Sequence, residues 1–525
     1  MRKSRFGRLP LWAVAMLCLA AAGCASLPRH VHKERSEAIH DVGSTTLGRL
    51  VAEAERRNLS GIRLLASGDE ALASLIALAD HAERTLDIQY YIITQDESAR
   101  ILLQHVREAA ERGVRVRILV DDFNTAGQDR RFMHLGQNAH IEVRVFNPFP
   151  GGRSATWTRL LASFSELPRI NHRMHNKLFV ADNALAITGG RNIGDQYFTR
   201  DKGSNFIDLD VVAAGNIVPQ LSASFDAFWN SKYAYPIASV AAPVPLEAEP
   251  TWPKEPVADN AAASAAVGDA AADAAAAGAA NFLAREIDAG ELQLAWVPAT
   301  VLADRPAKIA SESSPDQEET IANDLSALIR TANQELVIIS PYFVPGTDGI
   351  ALLRSLVRRG VHIRILTNSL AATDSPLVHI GYSHYRVELL HLGVELSEMR
   401  PKLGTARPRL HPFRSGYVSL HAKAVVIDEK TVFIGSLNMD ARSARINSEL
   451  GLVIRSSEIA RQVTNLLDDI STDGSYKLQL VGHDHIEWSS GEPGAMKTWH
   501  KDPDTTFPQR LWLKVLTPFA PDEFL

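Results

Sequence analysis

One plan occurs twice along this chain, and the duplication constrains its fold more than any other feature. His175-x-Lys177-x4-Asp182 returns 246 residues later as His421-x-Lys423-x4-Asp428. Six residues separate each Asp from the next element, Gly189-Gly190-x-Asn192 in the first copy and Gly435-Ser436-x-Asn438 in the second. The repeat reaches upstream. RGVRVRILVDD (112–122) is matched by RGVHIRILTNS (359–369), with Gly113 falling on Gly360, and RTLDIQYYI (84–92) is matched by QELVIISPYF (334–343). Between the paired segments, ARILLQHVREAAER and IALLRSLVRR carry helical apolar spacing. Each half therefore reads strand–helix–strand, with apolar β-branched strands. This alternation predicts an α/β fold of two pseudo-symmetric domains, each a mixed β-sheet flanked by helices. A chain of 525 residues is also too long for a single core.

The spacing carries chemistry. Side chains at i and i+2 of a strand share a face, so His175 points with Lys177, and His421 with Lys423. Asp182-Asn183 and Asp428-Glu429-Lys430 predict hairpin-like turns that return each G-x-x-N segment beside its His and Lys. Glycine lets backbone approach a ligand closely, and Asn192 and Asn438 offer amide donors. Two histidines, two lysines and two asparagines converging across a pseudo-twofold axis place an active site at the domain interface and suit a phosphodiester. The lysines neutralise phosphoryl oxygens, fixed donors stabilise developing charge, and one imidazole attacks phosphorus while the other protonates the leaving oxygen. Such a site calls for no metal or other cofactor, because the lysines already supply the charge. Aligning ELGLVI (449–454) with DLDVVA (208–213) sets Glu449 opposite Asp208. A carboxylate that accepts from one imidazole N–H fixes the tautomer and frees the other nitrogen. Asp208 and Glu449 are the candidates, with Asp210 as a substitute for Asp208.

Other residues invite two readings. Asp182 and Asp428, at turns, read as structural rather than as proton carriers. His172, three residues before His175, suggests a metal ligand but has no carboxylate or cysteine at metal spacing. Tyr90, Tyr91 and Tyr342 fit either a core or the wall of a substrate pocket. Asp121-Asp122 fits contact with the substrate or turn capping, and Arg173 is a further candidate for phosphate.

The ends and the middle differ in composition. MRKSRFGRLP followed by the short apolar run LWAVAMLCLAAAGC has the layout of a secretory signal. Ala21-Ala22-Gly23-Cys24 resembles a bacterial lipobox, although a leucine is more usual at Ala21; ordinary cleavage after a small residue is the alternative. On the lipobox reading Cys24 is acylated, Cys18 leaves with the signal, and the mature chain is a membrane-tethered envelope lipoprotein facing the periplasm. Ala25, rather than Asp, fits sorting of such lipoproteins to the outer membrane. The expected organisation is a signal at 1–23, a tether at 24–65, domains at 66–235 and 296–475, a Pro/Ala-rich linker at 236–295 and a C-terminal extension at 476–525. In that extension QRLWLKVL reads as a segment packed on the domain or as an interfacial membrane contact. Net charge is −6 with no basic run, which argues against a nucleic-acid partner.

These motifs resemble the phospholipase D superfamily, whose signature is the paired His-Lys-Asp motif. RMHNK (173–177), GGRNIGD (189–195), DLDV (208–211), YFVP (342–345), ILTNSLAATD (365–374), SLHAK (419–423) and the terminal QRLWLKVL are similar to the C-type cardiolipin synthases. The similarity runs from about residue 66 to the C-terminus, excluding the alanine-rich spacer. It implies two phospholipase D-like domains and a catalytic set of His175, Lys177, Asp182, Asn192, His421, Lys423, Asp428 and Asn438, supported by Gly190 and Ser436. It further implies phospholipid substrates, such as phosphatidylglycerol and phosphatidylethanolamine, at a membrane surface. A phosphatidyl group would pass to histidine and then to an alcohol, giving cardiolipin, or to water, giving phosphatidic acid. A phosphodiesterase acting on nucleic acid, also found in the superfamily, is the weaker alternative. Family practice makes His175 the nucleophile and His421 the acid–base, an order the pseudo-symmetry also allows in reverse. The superfamily usually has Gly-Ser where this chain has Gly189-Gly190, so the two halves need not be equivalent.

Overall fold

The computed structural model describes residues 27–28, 31–153, 155, 157–159, 166–242, 281–309, 320–402, 417–491 and 495–516. Cys18, Cys24, the signal segment and most of the alanine-rich linker lie outside the described residues.

Two sheets carry the duplication. The first runs, edge to edge, Ala295–Val297, Ser60–Leu65, Asp210–Gly215, Leu185–Gly189, Leu178–Ala181, Thr85–Tyr90, Arg115–Asp121, Ile141–Phe146 and Ala234–Pro236. The second runs Ala299–Ala303, Leu450–Arg455, Thr431–Gly435, Ala424–Ile427, Glu335–Ile339, His362–Asn368 and Glu395–Met399, and then continues with Ser475–Val481, His485–Ser490 and Lys497–Trp499. The strands from Ser60–Leu65 to Ile141–Phe146 thus recur, in the same order, from Ala299–Ala303 to Glu395–Met399. Three neighbours in each sheet are parallel and the rest antiparallel, as a mixed sheet requires. Matching helices, Glu97–Glu111 and Gly346–Arg358, cross between the first two parallel strands of each half. Each helix ends in a left-handed glycine, Gly113 (φ 97°) and Gly360 (φ 84°), which explains why these two align.

The central strands are buried on both faces. Leu178 and Val180 point into a core shared by the two halves, where they meet Ala424, Val426, Val337 and Leu452. Phe179 and Ala181 point the other way, into the first half's own core, as Val425 and Ile427 do in the second. The halves therefore join sheet to sheet, which positions the motifs for convergence. The hairpins form as the sequence predicts: Asp182, Asn183, Asp428 and Glu429 all have φ near +50°, as a two-residue turn between twisted strands demands.

Three domain boundaries differ from expectation. The tether at 24–65 contains the helix Thr46–Arg56 and the strand Ser60–Leu65, which is integral to the first sheet. The end of the linker at 236–295 forms the helix Phe282–Ala289, and Ala295–Val297 closes the first sheet's edge. The extension beyond 475 supplies three strands of the second sheet. The strands among these segments gain their structure from pairing with neighbouring strands, which local pattern does not reveal.

Candidate active site at the interface of the two halves

Each motif is sewn into the opposite half. The His175 N–H donates to Ser448 O (2.9 Å), and the Ser448 N–H returns a bond to Arg173 O (2.9 Å). In the other copy Tyr417–Leu420 pairs in parallel with Ser204–Ile207, and the His421 N–H donates to Ile207 O (2.7 Å). The residues that follow Ser448 and Ile207 are Glu449 and Asp208. Backbone pairing therefore delivers each carboxylate to an imidazole of the other half. His175 Nδ1 lies 2.9 Å from Glu449 Oε2, and His421 Nδ1 lies 2.5 Å from Asp208 Oδ2. Both carboxylates are fully buried, and both histidines nearly so. With Nδ1 donating to a carboxylate, Nε2 of each ring is left for chemistry. Asp210 is not the orienting group: it accepts from the Arg191 N–H (3.1 Å) and pairs with its guanidinium (3.3 Å).

The lysines fold back on their own motifs. Lys177 Nζ donates to His175 O (2.6 Å), and Lys423 Nζ donates to His421 O. Lys423 Nζ also lies 2.9 Å from His421 Nδ1. That nitrogen donates its proton to Asp208, so the ammonium meets it as charge. Burial, then Lys423, pushes the His421 pKa down. Burial likewise lowers His175 to about 4, with Glu449 opposing and Lys177 assisting. Burial raises Asp208 and Glu449, but the facing imidazoles and lysines outweigh it and hold both below the usual carboxylate range. At neutral pH the set is two neutral imidazoles against two carboxylates. Burial also brings Lys177 well below its ordinary value and Lys423 to about 8.

Asn192 is fixed by the Ile92 N–H to its Oδ1 (3.2 Å) and by donation to Tyr197 Oη (3.0 Å). Asn438 is held through its backbone N–H, which donates to Ser443 Oγ (3.3 Å). Aromatic rings flank the imidazoles. Tyr91 stands edge-on to His175 (5.1 Å between centroids), and Tyr197 and Phe206 approach His421 at 5.2 and 5.0 Å. Tyr90 belongs to the first half's core, whereas Tyr342 donates to Asp374 Oδ2 (2.8 Å).

The two supporting positions differ for a steric reason. A Cβ on Gly190 would lie 2.0 Å from Asp208 Oδ1, so no serine fits there. Glu449 is one methylene longer, and Ser436 Oγ stands beside it and donates to Oε2 (2.5 Å).

Several expected site residues belong to the frame. Asp182 and Asp428, which the resemblance placed in the catalytic set, are structural instead. Asp182 accepts from the backbone N–H groups of Glu83, Arg84 and Thr85 at 2.8–2.9 Å, beyond the far end of the strand from His175. Asp428 accepts from Asn333, Gln334 and Glu335 in the same way. Arg173, a phosphate candidate, is fully buried against Asp121 (3.1 Å). Asp121 also accepts from Phe123 and Met174 N–H, and Asp122 pairs with Arg153, so both aspartates cap and brace rather than face a head group. His172 Nδ1 meets Pro168 O at 2.8 Å. Sequence reasoning missed Tyr197, Phe206 and Asp440. Asp440 is a buried carboxyl that burial raises to about 6; its Oδ1 accepts from the Ser443 N–H. Tyr197 and Asp440 follow the motif asparagines by five and two residues, the one local signal that pointed to them.

The chain is similar to known proteins of one family. Residues 75–229 and 325–470 match the family described as cardiolipin synthase, PLD-like domain. Cardiolipin synthase C of Escherichia coli K12 is 37% identical over 465 residues, covering 87% of this chain and 94% of the relative. Cardiolipin synthase 1 of Bacillus anthracis is 25% identical, covering 78% of this chain and 65% of the relative. Among solved structures, phosphatidylserine synthase of Haemophilus influenzae Rd KW20 superposes with a TM-score of 0.54 at 15% identity, over 90% of this chain and all of that one, and shares the fold. The doubled motif, the repeated sheet and the paired family match together show that the chain belongs to the cardiolipin synthase branch of the phospholipase D superfamily.

Proposed function

We propose that this enzyme is a phosphatidyltransferase that makes cardiolipin through a phosphohistidine. The observation that carries the reading is the crossed pair, in which each imidazole is held at Nδ1 by a carboxylate of the opposite half and, among the described residues, has no hydrogen-bond partner at Nε2. The Escherichia coli relative's name supports cardiolipin as the product. In the first step His175 Nε2 attacks phosphorus, the bond to the leaving oxygen breaks, and protonated His421 gives that oxygen its Nε2 proton. A bound phosphodiester places negative charge beside His421 and favours the protonated form. In the second step neutral His421 takes the proton of a phosphatidylglycerol hydroxyl, whose oxygen attacks phosphorus and releases His175. Lys177 and Lys423 face the phosphoryl oxygens, and the Asn192 and Asn438 amides are set beside them. The chain is membrane-anchored through acylated Cys24 and faces the periplasm.

The test is direct. Purified protein is given phosphatidylglycerol, with and without phosphatidylethanolamine, and the lipids are resolved. Cardiolipin supports the proposal. Phosphatidic acid alone makes the enzyme a hydrolase, and cleavage of DNA with no lipid product makes it a nuclease. Acid-labile, base-stable phosphate trapped on His421 instead of His175 reverses the two roles. Palmitate labelling that survives Cys24→Ala overturns the anchor.

A further inference from the structure

The helix Phe507–Leu516, reading FPQRLWLKVL, leaves one side uncovered. Phe507, Leu511, Trp512 and Val515 are 69, 50, 61 and 54% exposed. At 100° per residue these four fall on a single face, while Leu513, half-buried, lies across the helix from them. The helix packs against a second helix, Pro376–His391. The chain leading into it is pinned. Asp502 pairs with the buried Arg386 (3.0 Å), which also pairs with Glu398 (2.7 Å), and Tyr476 Oη donates to Asp504 Oδ2 (2.5 Å). A rigid base thus presents the apolar face outward.

Charge identifies what covers it. Arg510 and Lys514 are the only charged residues of the helix. Lys497 and Lys501, just before it, are exposed. Of the acids of that stretch, Asp502 is engaged with Arg386, and Asp504, though exposed, accepts from Tyr476 Oη. The uncovered surface is therefore apolar and is preceded in the chain by the exposed cations Lys497 and Lys501. A tryptophan within such a face suits the boundary between acyl chains and head groups, and the cations suit anionic lipid. Among the described residues no helix is long and apolar enough to cross a membrane, so this face would lie on the bilayer. The supporting helix Pro376–His391 begins two residues after Asp374, which holds Tyr342, and its first turn carries Leu377, 43% exposed. The surface and the Tyr342 side of the site are built on one element.

We propose that the face formed by Phe507, Leu511, Trp512 and Val515 is an interfacial anchor that seats the protein on an anionic phospholipid bilayer. The choice of a bilayer rests on the lipid-substrate reading, and binding is measured without turnover so that the two fail separately. Full-length Cys24→Ala protein, which carries no acyl group, is sedimented with phosphatidylcholine vesicles with and without about 30% phosphatidylglycerol. Binding is expected at least tenfold tighter with phosphatidylglycerol. Bilayer-brominated lipid is expected to quench a fluorescence component that Trp512→Phe removes. The triple variant Phe507→Ser, Leu511→Ser, Trp512→Ser is expected to lose vesicle binding, to melt at an unchanged temperature, and to retain turnover of a short-chain phosphatidylglycerol below its micellar concentration. Wild-type vesicle binding by that variant overturns the anchor. So does a change in oligomeric state without a change in vesicle binding, which makes the face a contact between copies, and so does a Trp512 that brominated lipid never reaches, as when residues 517–525 cover it.

Discussion

Gly190 and Ser436 stand at the same point of the repeat, yet one is obliged to be small and the other forms a hydrogen bond. In the first half the short Asp208 side chain brings its carboxylate to where a serine Cβ would sit. In the second half the longer Glu449 leaves space, and Ser436 fills it and shares Oε2 with His175. The same task, holding an imidazole at Nδ1, is thus solved with different lengths of carboxylate. Because each carboxylate serves the other half's histidine, neither half contains a complete acid–base unit. The lesson is that the duplication gives a site only when the halves dock, and that docking leaves the two imidazoles unequal. His421 has Lys423 beside its ring nitrogen as well as Asp208. Lys177 is bonded to the His175 carbonyl oxygen instead.

The inequality is open to experiment. The largest effect is expected from the histidines themselves. His175→Ala and His421→Ala should each lower turnover by at least about 10²–10⁴-fold while the protein stays folded, measured as lipid product per unit time. Only His421→Ala should still accumulate phosphohistidine. Equal trapping in both variants would erase the distinction between the halves.

Next comes the steric difference. Gly190→Ser should displace Asp208 and misplace His421, at a cost of about 10²-fold in kcat. Adding Asp208→Glu should recover part of that loss by rebuilding the second half's arrangement in the first. A double variant no better than Gly190→Ser alone would refute the steric account. In the mirror position, Ser436→Ala removes one hydrogen bond to a carboxylate, worth about 1.5–3 kcal/mol, so a fall of about 10–10²-fold is expected.

The pH profile of kcat/KM should separate the halves on its two sides. His175 must be neutral to attack, and it is so above about pH 4. His421 must carry a proton in the first step, and burial holds its pKa below the ordinary imidazole value, so it sets the alkaline limb ahead of Lys423, which loses its proton only above about pH 8. A bell is expected, with its acid limb near pH 4 and its alkaline limb on the acid side of neutrality. The Glu449 charge raises the His175 pKa, so Glu449→Gln should carry the acid limb lower and leave the alkaline limb in place. Movement of the alkaline limb alone would assign Glu449 to the other partner.

The smallest effects should fall on the scaffold aspartates. Asp182→Asn should cost about 1–3 kcal/mol of stability in thermal melts with little change in kcat. Asp428→Asn, at a partly exposed turn, should cost less. A large fall in kcat from either would return it to the catalytic set.

The sequence alone determined the doubled α/β plan, the shared interface, and the His, Lys and Asn residues that meet there. All of these follow from periodicity and from an almost constant offset, which are local properties copied twice. Even Asp208 and Glu449 were reachable, since aligning the copies set one against the other. Tertiary structure decided the rest. It chose which carboxylate reaches which imidazole, since period-2 spacing assigns a side chain to a face but says nothing of the strand that will cross it. It recruited Ser60–Leu65 and Ser475–Val481 into the sheets, because a strand is stabilised by the neighbours it pairs with more than by its own pattern. It also made Gly190 a glycine for want of space, a constraint that exists only once Asp208 has been folded against it.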